Sequence, residues 1–282
     1  TLIVNLFLRP MPDVESMERS LIACANRYTC LEFNSRLFHE EIAARTVEIV
    51  AQIGRLSKYE RALRSIERMY FEFVERSFSH SKHVYRQLCL KPNGWEGFKP
   101  LLVAHTEWES ATTKSLYLIS PHGEELPSFH AGQHVAIKIK LPFLKEPLLK
   151  IYKLSGNPRH HGYRITIDGC KGGFFSCYLN SLRTGSFLPI HMPMGAFGVE
   201  SSARKHLVLA EGVDVATAAS LLHEISSVVE LGTDVTFIQC AANRASMILK
   251  PEFDALQRKT GLLHKVCLRD GKADYNGYPD ER

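Results

Sequence analysis

Apolar and polar positions change their period along the chain, and the changes divide it into three regions. From residue 13 to residue 88 apolar side chains recur at helical spacing, as in Ile42, Val47, Ile49, Val50 and Ile53, or Leu63, Ile66, Met69, Tyr70 and Phe73. Charged residues fill the intervals (Glu60, Arg61, Arg64, Glu67, Arg68), so the pattern predicts amphipathic helices that bury one face. No proline falls between Pro12 and Pro92, and Lys91-Pro92-Asn93-Gly94 then punctuates the chain.

From about residue 99 to residue 200 the period becomes two. Val135, Ile137 and Ile139 alternate with Ala136, Lys138 and Lys140, and Tyr163, Ile165 and Ile167 alternate with Arg164 and Thr166. Short strands divided by Gly and Pro turns predict an antiparallel barrel. Near residue 205 the pattern changes again: Leu207–Ala210 reads as a buried strand, followed by a glycine turn and a helix through Ala218–Ile225. Val235–Cys240 reads as the next strand and Glu252–Lys259 as another helix, a βαβα order that predicts a nucleotide-binding α/β domain on a parallel sheet. The expected fold class is multidomain α+β: a helical domain over 1–92, an antiparallel β-barrel over 93–203 and an α/β domain over 204–282.

Composition narrows the function classes. No run of eighteen apolar residues occurs in the 282, so no membrane span is expected. The formal charge of +5 is spread along the chain rather than clustered with aromatics, which argues against nucleic acid as a partner. The seven cysteines form no Cys-x-x-Cys pair, a pattern of reduced thiols in an intracellular, cytosol-like compartment, with the organelle left open. The chain opens at Thr1 without methionine, which implies processing or truncation, and no signal peptide is visible.

Short signals fall in one order between Gly94 and Phe197: Gly94-Trp95-Glu96-Gly97, Ala131-Gly132-Gln133, Lys150-Ile151-Tyr152-Lys153-Leu154-Ser155, Gly172-Gly173-Phe174-Phe175-Ser176 and Pro193-Met194-Gly195-Ala196-Phe197. In this order they resemble the flavin-binding barrel of the flavohemoglobin (nitric oxide dioxygenase) family, within the wider ferredoxin-reductase group. In that family NAD(P)H reduces FAD, FAD reduces haem and the haem oxidises nitric oxide. The resemblance implies FAD at two elements. The first is an Arg-x-Tyr-Ser motif, in which arginine meets the phosphate, tyrosine packs on the ring and serine bonds near the reactive nitrogen. Here it is Lys150, Tyr152 and Lys153. Lys150 keeps the charge without the bidentate fork, and Lys153 puts a long cation where a small hydroxyl belongs. The second element is Gly172, Gly173 and Ser176, whose amides and hydroxyl would approach the diphosphate at a helix start.

The family's nicotinamide turn, Gly-Val-Gly-x-Thr-Pro, corresponds to Gly212-Val213-Asp214-Val215-Ala216-Thr217. Gly212 is kept, Asp214 adds negative charge beside an anionic ligand, and Ala216 replaces the threonine. Repulsion between unit charges at ~4 Å is about 1 kcal/mol in water and several-fold more near a protein surface. Arg244, after Asn243, resembles a residue that can meet a cofactor phosphate, against the alternative of a solvated loop arginine. By the same resemblance the chain ends before the family's late Cys-Gly-Pro segment, so the NAD(P)-binding-like domain is expected to be incomplete. The helical region resembles the second half of a globin, and Tyr28 stands where the proximal haem histidine would be. Tyrosine can ligate ferric haem, but packing is the favoured role. His39, His80 and His83 fall outside that segment.

Departures at every transfer step imply a flavohemoglobin-like protein that keeps the fold and FAD but is catalytically impaired. Its expected role is a structural or regulatory subunit with protein partners in a larger assembly. The alternative is a working FAD-dependent NAD(P)H oxidoreductase of the nitric oxide dioxygenase type, passing electrons to haem or another acceptor. A haem or nitric oxide sensor, which would need Tyr28 as ligand, is the third reading.

Overall fold

The computed structural model describes residues 60–141, 143–158, 160–169, 173–200, 202–228, 233–270 and 275–276, with helical positions between Arg19 and Cys30. The chain divides into two units, residues 1–90 with 194–196, and residues 91–193 with 197–282.

In the first unit α1 (Glu60–Cys89) buries Val74, Ser77, Phe78 and Ser81, one stripe at helical spacing. Ser81 Oγ donates to Thr29 Oγ1 at 2.9 Å. Cys30 is buried nearby in sequence, and that burial pushes its thiol up to about 12. Met69, predicted on the buried face, is 55% exposed. At about 100° per residue it lies roughly 140° round the helix from Val74, off the stripe that packs. The Ile42–Ile53 segment lies outside the described residues.

In the second unit β1 (Phe98–Trp108), β2 (Thr113–Ile119), β3 (His134–Ile139), β4 (Leu148–Lys153), β5 (Tyr163–Asp168) and β6 (Phe187–His191) form an antiparallel sheet in the order β4-β3-β6-β1-β2-β5. The two end strands meet at an antiparallel bridge between Leu154 and Ile165, where Ser155 N donates to Arg164 O at 2.8 Å. Leu101, Leu116, Leu118, Ile137, Ile165, Ile167 and Ile190 fill its core and are fully buried. Trp95, buried just before β1, donates from Nε1 to Ile190 O at 3.0 Å, so the Gly-Trp-Glu-Gly signal fastens the start of this sheet. Helix α2 (Gly173–Ser181) is pinned at its far end by the buried Lys114. Its Nζ donates to Asn180 O at 3.1 Å and Leu182 O at 2.6 Å, a cation at a helix C-terminus. Burial, aided by Arg183, holds that ammonium below its ordinary pKa.

The remainder of this unit alternates strand and helix: β7 (Lys205–Glu211), α3 (Val215–Val228), β8 (Asp234–Ala241), α4 (Lys250–Thr260), β9 (Leu263–Leu268) and β10 (Tyr275–Asn276). The strands are parallel in the order β10-β9-β8-β7. Val215, Ala219 and Leu222 of α3 and Phe253 and Leu256 of α4 pack with Phe237 of β8 in one core. The prediction that Leu207–Ala210 is buried throughout is corrected: Leu207 and Leu209 are 70% and 57% exposed. Right-handed crossovers running in one direction put α3 and α4 on the same face. Alternate β7 side chains therefore point to the other face, which no described element covers.

Candidate functional site

Along β4 alternate side chains take opposite faces, which sets Lys150 and Tyr152 together and Lys153 apart. The Tyr152 hydroxyl and Ser176 Oγ share a hydrogen bond at 3.0 Å, and Lys150 Nζ donates to Ser176 Oγ at 3.4 Å. The ammonium stands 5.6 Å from the Tyr152 ring centre and 6.0 Å from that of Phe175, and these two rings stack at 6.1 Å. Burial raises the Tyr152 pKa, against the hydrogen bond from Ser176. Gly173, the first residue of α2, lies three positions before Ser176. The structure thus joins four predicted residues, Lys150, Tyr152, Gly173 and Ser176, at one helix start. A cation, two hydroxyls and the positive end of a helix suit a diphosphate.

Lys153 turns elsewhere. Its Nζ donates to Gly132 O at 2.9 Å and lies 5.6 Å from the Phe197 ring centre. The turn before β3 admits only glycine at 132: φ is +86°, and a Cβ would stand 2.6 Å from Phe197 Cδ1. Gly212, at φ +58°, opens a short 3-10 turn (Gly212–Asp214) that leads into α3, with Asp214 exposed and Ala216 buried. Arg244 begins a second 3-10 turn (Arg244–Ser246), where the Asn243 side chain accepts from Ser246 N at 3.1 Å. Both stand at the carboxyl ends of parallel strands, β7 and β8, where open α/β sheets bind ligands. Gly172 and Tyr28 lie outside the described residues.

Two ties between the sheets were missed by sequence reasoning. Arg164, predicted only as a polar alternate on β5, is buried, with Thr166 beside it. It forks onto Glu252 in the first turn of α4, Nη1 donating to Oε2 at 2.7 Å and Nη2 to Oε1 at 3.1 Å. It also donates to Ser155, from Nε to Oγ at 3.2 Å and from Nη2 to the carbonyl at 2.5 Å. His223 of α3 donates from Nε2 to Glu252 Oε1 at 2.6 Å. Burial opposes ionisation of Glu252, but the His223 hydrogen bond and the Arg164 charge outweigh it and hold the carboxyl below its ordinary pKa. From Ser155 a row of hydroxyls runs back through the strands: Ser155 Oγ to Thr166 Oγ1 at 2.9 Å, Thr166 to Ser115 Oγ at 3.0 Å, and Ser115 to Glu109 Oε1 at 2.6 Å. The second tie is Glu224, beside His223, whose carboxylate accepts from Ala131 N at 2.5 Å in the Gly132 turn. The only sequence signal was a lone arginine inside an apolar strand, and its partner lies 88 residues away.

Among the described residues no helix is long and apolar enough to cross a membrane, and no group of three or more His, Cys, Asp or Glu could hold a metal ion.

No protein-family model matches the chain. It is 30% identical over 213 residues to a flavohemoprotein of Bacillus subtilis, covering 73% of this chain and 53% of that protein. It is 28% identical over 204 residues to a flavohemoprotein of Deinococcus radiodurans, covering 71% and 50%. The chain therefore spans about half the length of these curated relatives. Among solved structures, a flavohemoglobin of Malassezia yamatoensis with bound FAD and haem aligns over 96% of this chain and 70% of that one, at TM-score 0.74 and 13% identity. The FAD/NAD-binding domain of a nitric oxide dioxygenase from Vibrio cholerae aligns over 65% and 80%, at TM-score 0.59 and 22% identity.

Proposed function

The chain is a divergent member of the flavohemoglobin family, and from that premise we propose that it binds FAD with impaired hydride supply and serves mainly as a structural or regulatory subunit. The observation that carries the flavin reading is the convergence of Lys150, Tyr152 and Ser176 at the start of α2. In this reading the antiparallel sheet wraps as the FAD-binding barrel over 93–203, preceded by a partial globin-like domain over 1–92. Lys150, Gly172, Gly173 and Ser176 hold the diphosphate and Tyr152 packs against the ring. FAD, when bound, supplies acceptance of a hydride and release of single electrons. Lys153, fastened to Gly132 O, gives the site a cation where the family has a hydroxyl.

The α/β part over 204–282 is the region for NAD(P)H. Asp214 adds a negative charge where phosphates would approach, and the buried Ala216 offers no hydroxyl. Both weaken engagement of the nicotinamide and support the impaired reading. The second reading, an active NAD(P)H oxidoreductase passing electrons to haem or another acceptor, is favoured by Gly212 at positive φ and by the capped turn that holds Arg244. The described cysteines 30, 89, 177, 240 and 267 form no disulfide with one another, and a reducing, cytosol-like compartment is part of the proposed reading.

An absorption spectrum of the purified full chain, before and after anaerobic NADH or NADPH, separates these readings. Flavin bands that persist on adding nucleotide support impaired hydride transfer, and rapid bleaching supports the active enzyme. Failure to take up FAD would sink both, and a Soret band would return Tyr28 to consideration as a haem ligand. Tyr152→Ala should release the flavin; unchanged occupancy would mean that the site lies elsewhere.

A further inference from the structure

The parallel sheet has a second end, away from the turns at Gly212 and Arg244. There β7, β8 and β9 begin side by side, and a cavity of about 900 Å³ opens between their first residues and the last turns of α3 and α4. Small-molecule sites have volumes of this order. β7 is seven residues long, so at about 3.3 Å per residue the cavity stands roughly 20 Å from Gly212. The proposed function gives it no role.

Its floor is apolar: Ile225, in the last turn of α3, and Leu262, just after α4, are buried. Its rim is apolar too. Leu207, Thr236 and Leu263 form one row across the three strands, and the two leucines are 70% and 48% exposed. Leucines held in solvent around an apolar hollow gain by being covered, which suits a ligand with an apolar body.

The polar part of the lining fixes the charge of that ligand. Lys205 and Lys259 line the cavity and are exposed. His206, between Lys205 and Leu207, keeps Nε2 out of solvent with no hydrogen-bond partner among the described residues. A ring nitrogen left in that state beside a cavity is a place for a ligand's polar atom. Asp234 stands across from Lys205 in register and sets one carboxylate against the two ammonium groups. The carbonyl ends of α3 and α4 add partial negative charge. Two cations against this opposition favour a single negative charge over a double one.

We propose that the cavity is a site for an amphipathic monocarboxylate. The carboxylate lies at Lys205, His206 and Lys259, where His206 Nε2, as N–H, donates to one of its oxygens. The apolar body covers Leu207, Leu262 and Leu263. The site uses neither flavin nor nicotinamide, so it stands independently of the flavin reading.

The test is isothermal titration of the full chain with octanoate, with octanol, and with octyl phosphate above its second pKa. Octanoate should bind one per chain, at least about threefold more tightly than the alcohol or the dianion. Lys259→Gln should weaken octanoate about three- to fivefold and leave octanol within about twofold. Leu263→Glu places a carboxylate on the rim and should abolish octanoate binding with the urea midpoint unchanged; should that variant unfold, Lys259→Gln decides alone. Saturating NADH should leave octanoate affinity as it was. Absence of octanoate binding would overturn the site, and equal affinity for octanol or octyl phosphate would overturn its choice of a monocarboxylate. Binding untouched by the variants, or displaced by NADH, would put the ligand elsewhere and overturn the assignment.

Discussion

In the antiparallel sheet Leu116, Ile137, Ile165 and Ile190 have no exposed surface, whereas in the parallel sheet Leu207, Leu209 and Leu263 keep 70%, 57% and 48% of theirs. The first sheet buries its inner side chains against one another, and a single bridge pairs Leu154, just after β4, with Ile165 of β5. The second leans on α3 and α4 from one side, although parallel sheets ordinarily bury both faces. The difference reaches the candidate sites. Lys150 and Tyr152 stand on a self-contained core, while Gly212 and Arg244 stand on turns that a one-sided core must position. Arg164, Glu252 and Glu224 join the two, lending the parallel sheet some of the fixity of its neighbour.

The tie is where the contrast breaks most easily. Glu252→Ala leaves the buried Arg164 guanidinium without its counter-charge and should cost about 3–5 kcal/mol in urea unfolding. Loss of much less would mean that the sheets hold their places independently. The same carboxylate gives a pH limb. Its folded pKa lies below the ordinary range, so its contribution is fully present above the unfolded pKa and is lost as pH falls through the folded one. Glu252→Gln should flatten that acid limb; an unchanged stability profile at low pH would count against the tie.

Next in size is Ile165→Ala, which opens a cavity in the fully buried core of the antiparallel sheet and should cost about 3 kcal/mol. Tyr152→Phe, losing one hydrogen bond to Ser176, should cost about 1 kcal/mol of stability. The smallest effect belongs to Leu209→Ala, within about 0.5 kcal/mol. Were Leu209→Ala to cost as much as Ile165→Ala, the face would be covered after all and the contrast between the sheets would dissolve.

Periodicity served best where one side of an element meets solvent. The helix predicted through Ala218–Ile225 lies inside α3, and the strand predicted through Val235–Cys240 lies inside β8. It served less well on β5, where Arg164 and Thr166 look like a solvent face until Glu252 arrives from the other sheet. Residues that keep local company, such as Gly173 and Ser176, could be read from motif order, because their spacing along the chain is their geometry. The Lys153–Gly132 contact joins positions 21 apart and rests on which way one flexible side chain turns, a choice that the turn before β3 decides. Leu207 and Leu209 were misread because an apolar run does not say how many faces are clad.

The row from Glu109 toward Arg164 fixes the direction of its first two hydroxyls, Ser115 and Thr166. An ionised carboxylate can only accept, so Ser115 spends its single hydrogen on Glu109 and must receive one from Thr166. Beyond Thr166 the single hydrogen of Ser155 has two acceptors in reach, Thr166 Oγ1 at 2.9 Å and the Arg164 carbonyl at 3.2 Å, while Arg164 Nε donates to its oxygen. The Ser115 and Thr166 dipoles therefore align head to tail toward the anion, each polarising the next. Protonating Glu109, whose pKa burial already raises, removes the anchor that sets their orientation. The interior of this sheet thus holds a directional memory of one carboxylate's charge, carried by hydrogen positions alone.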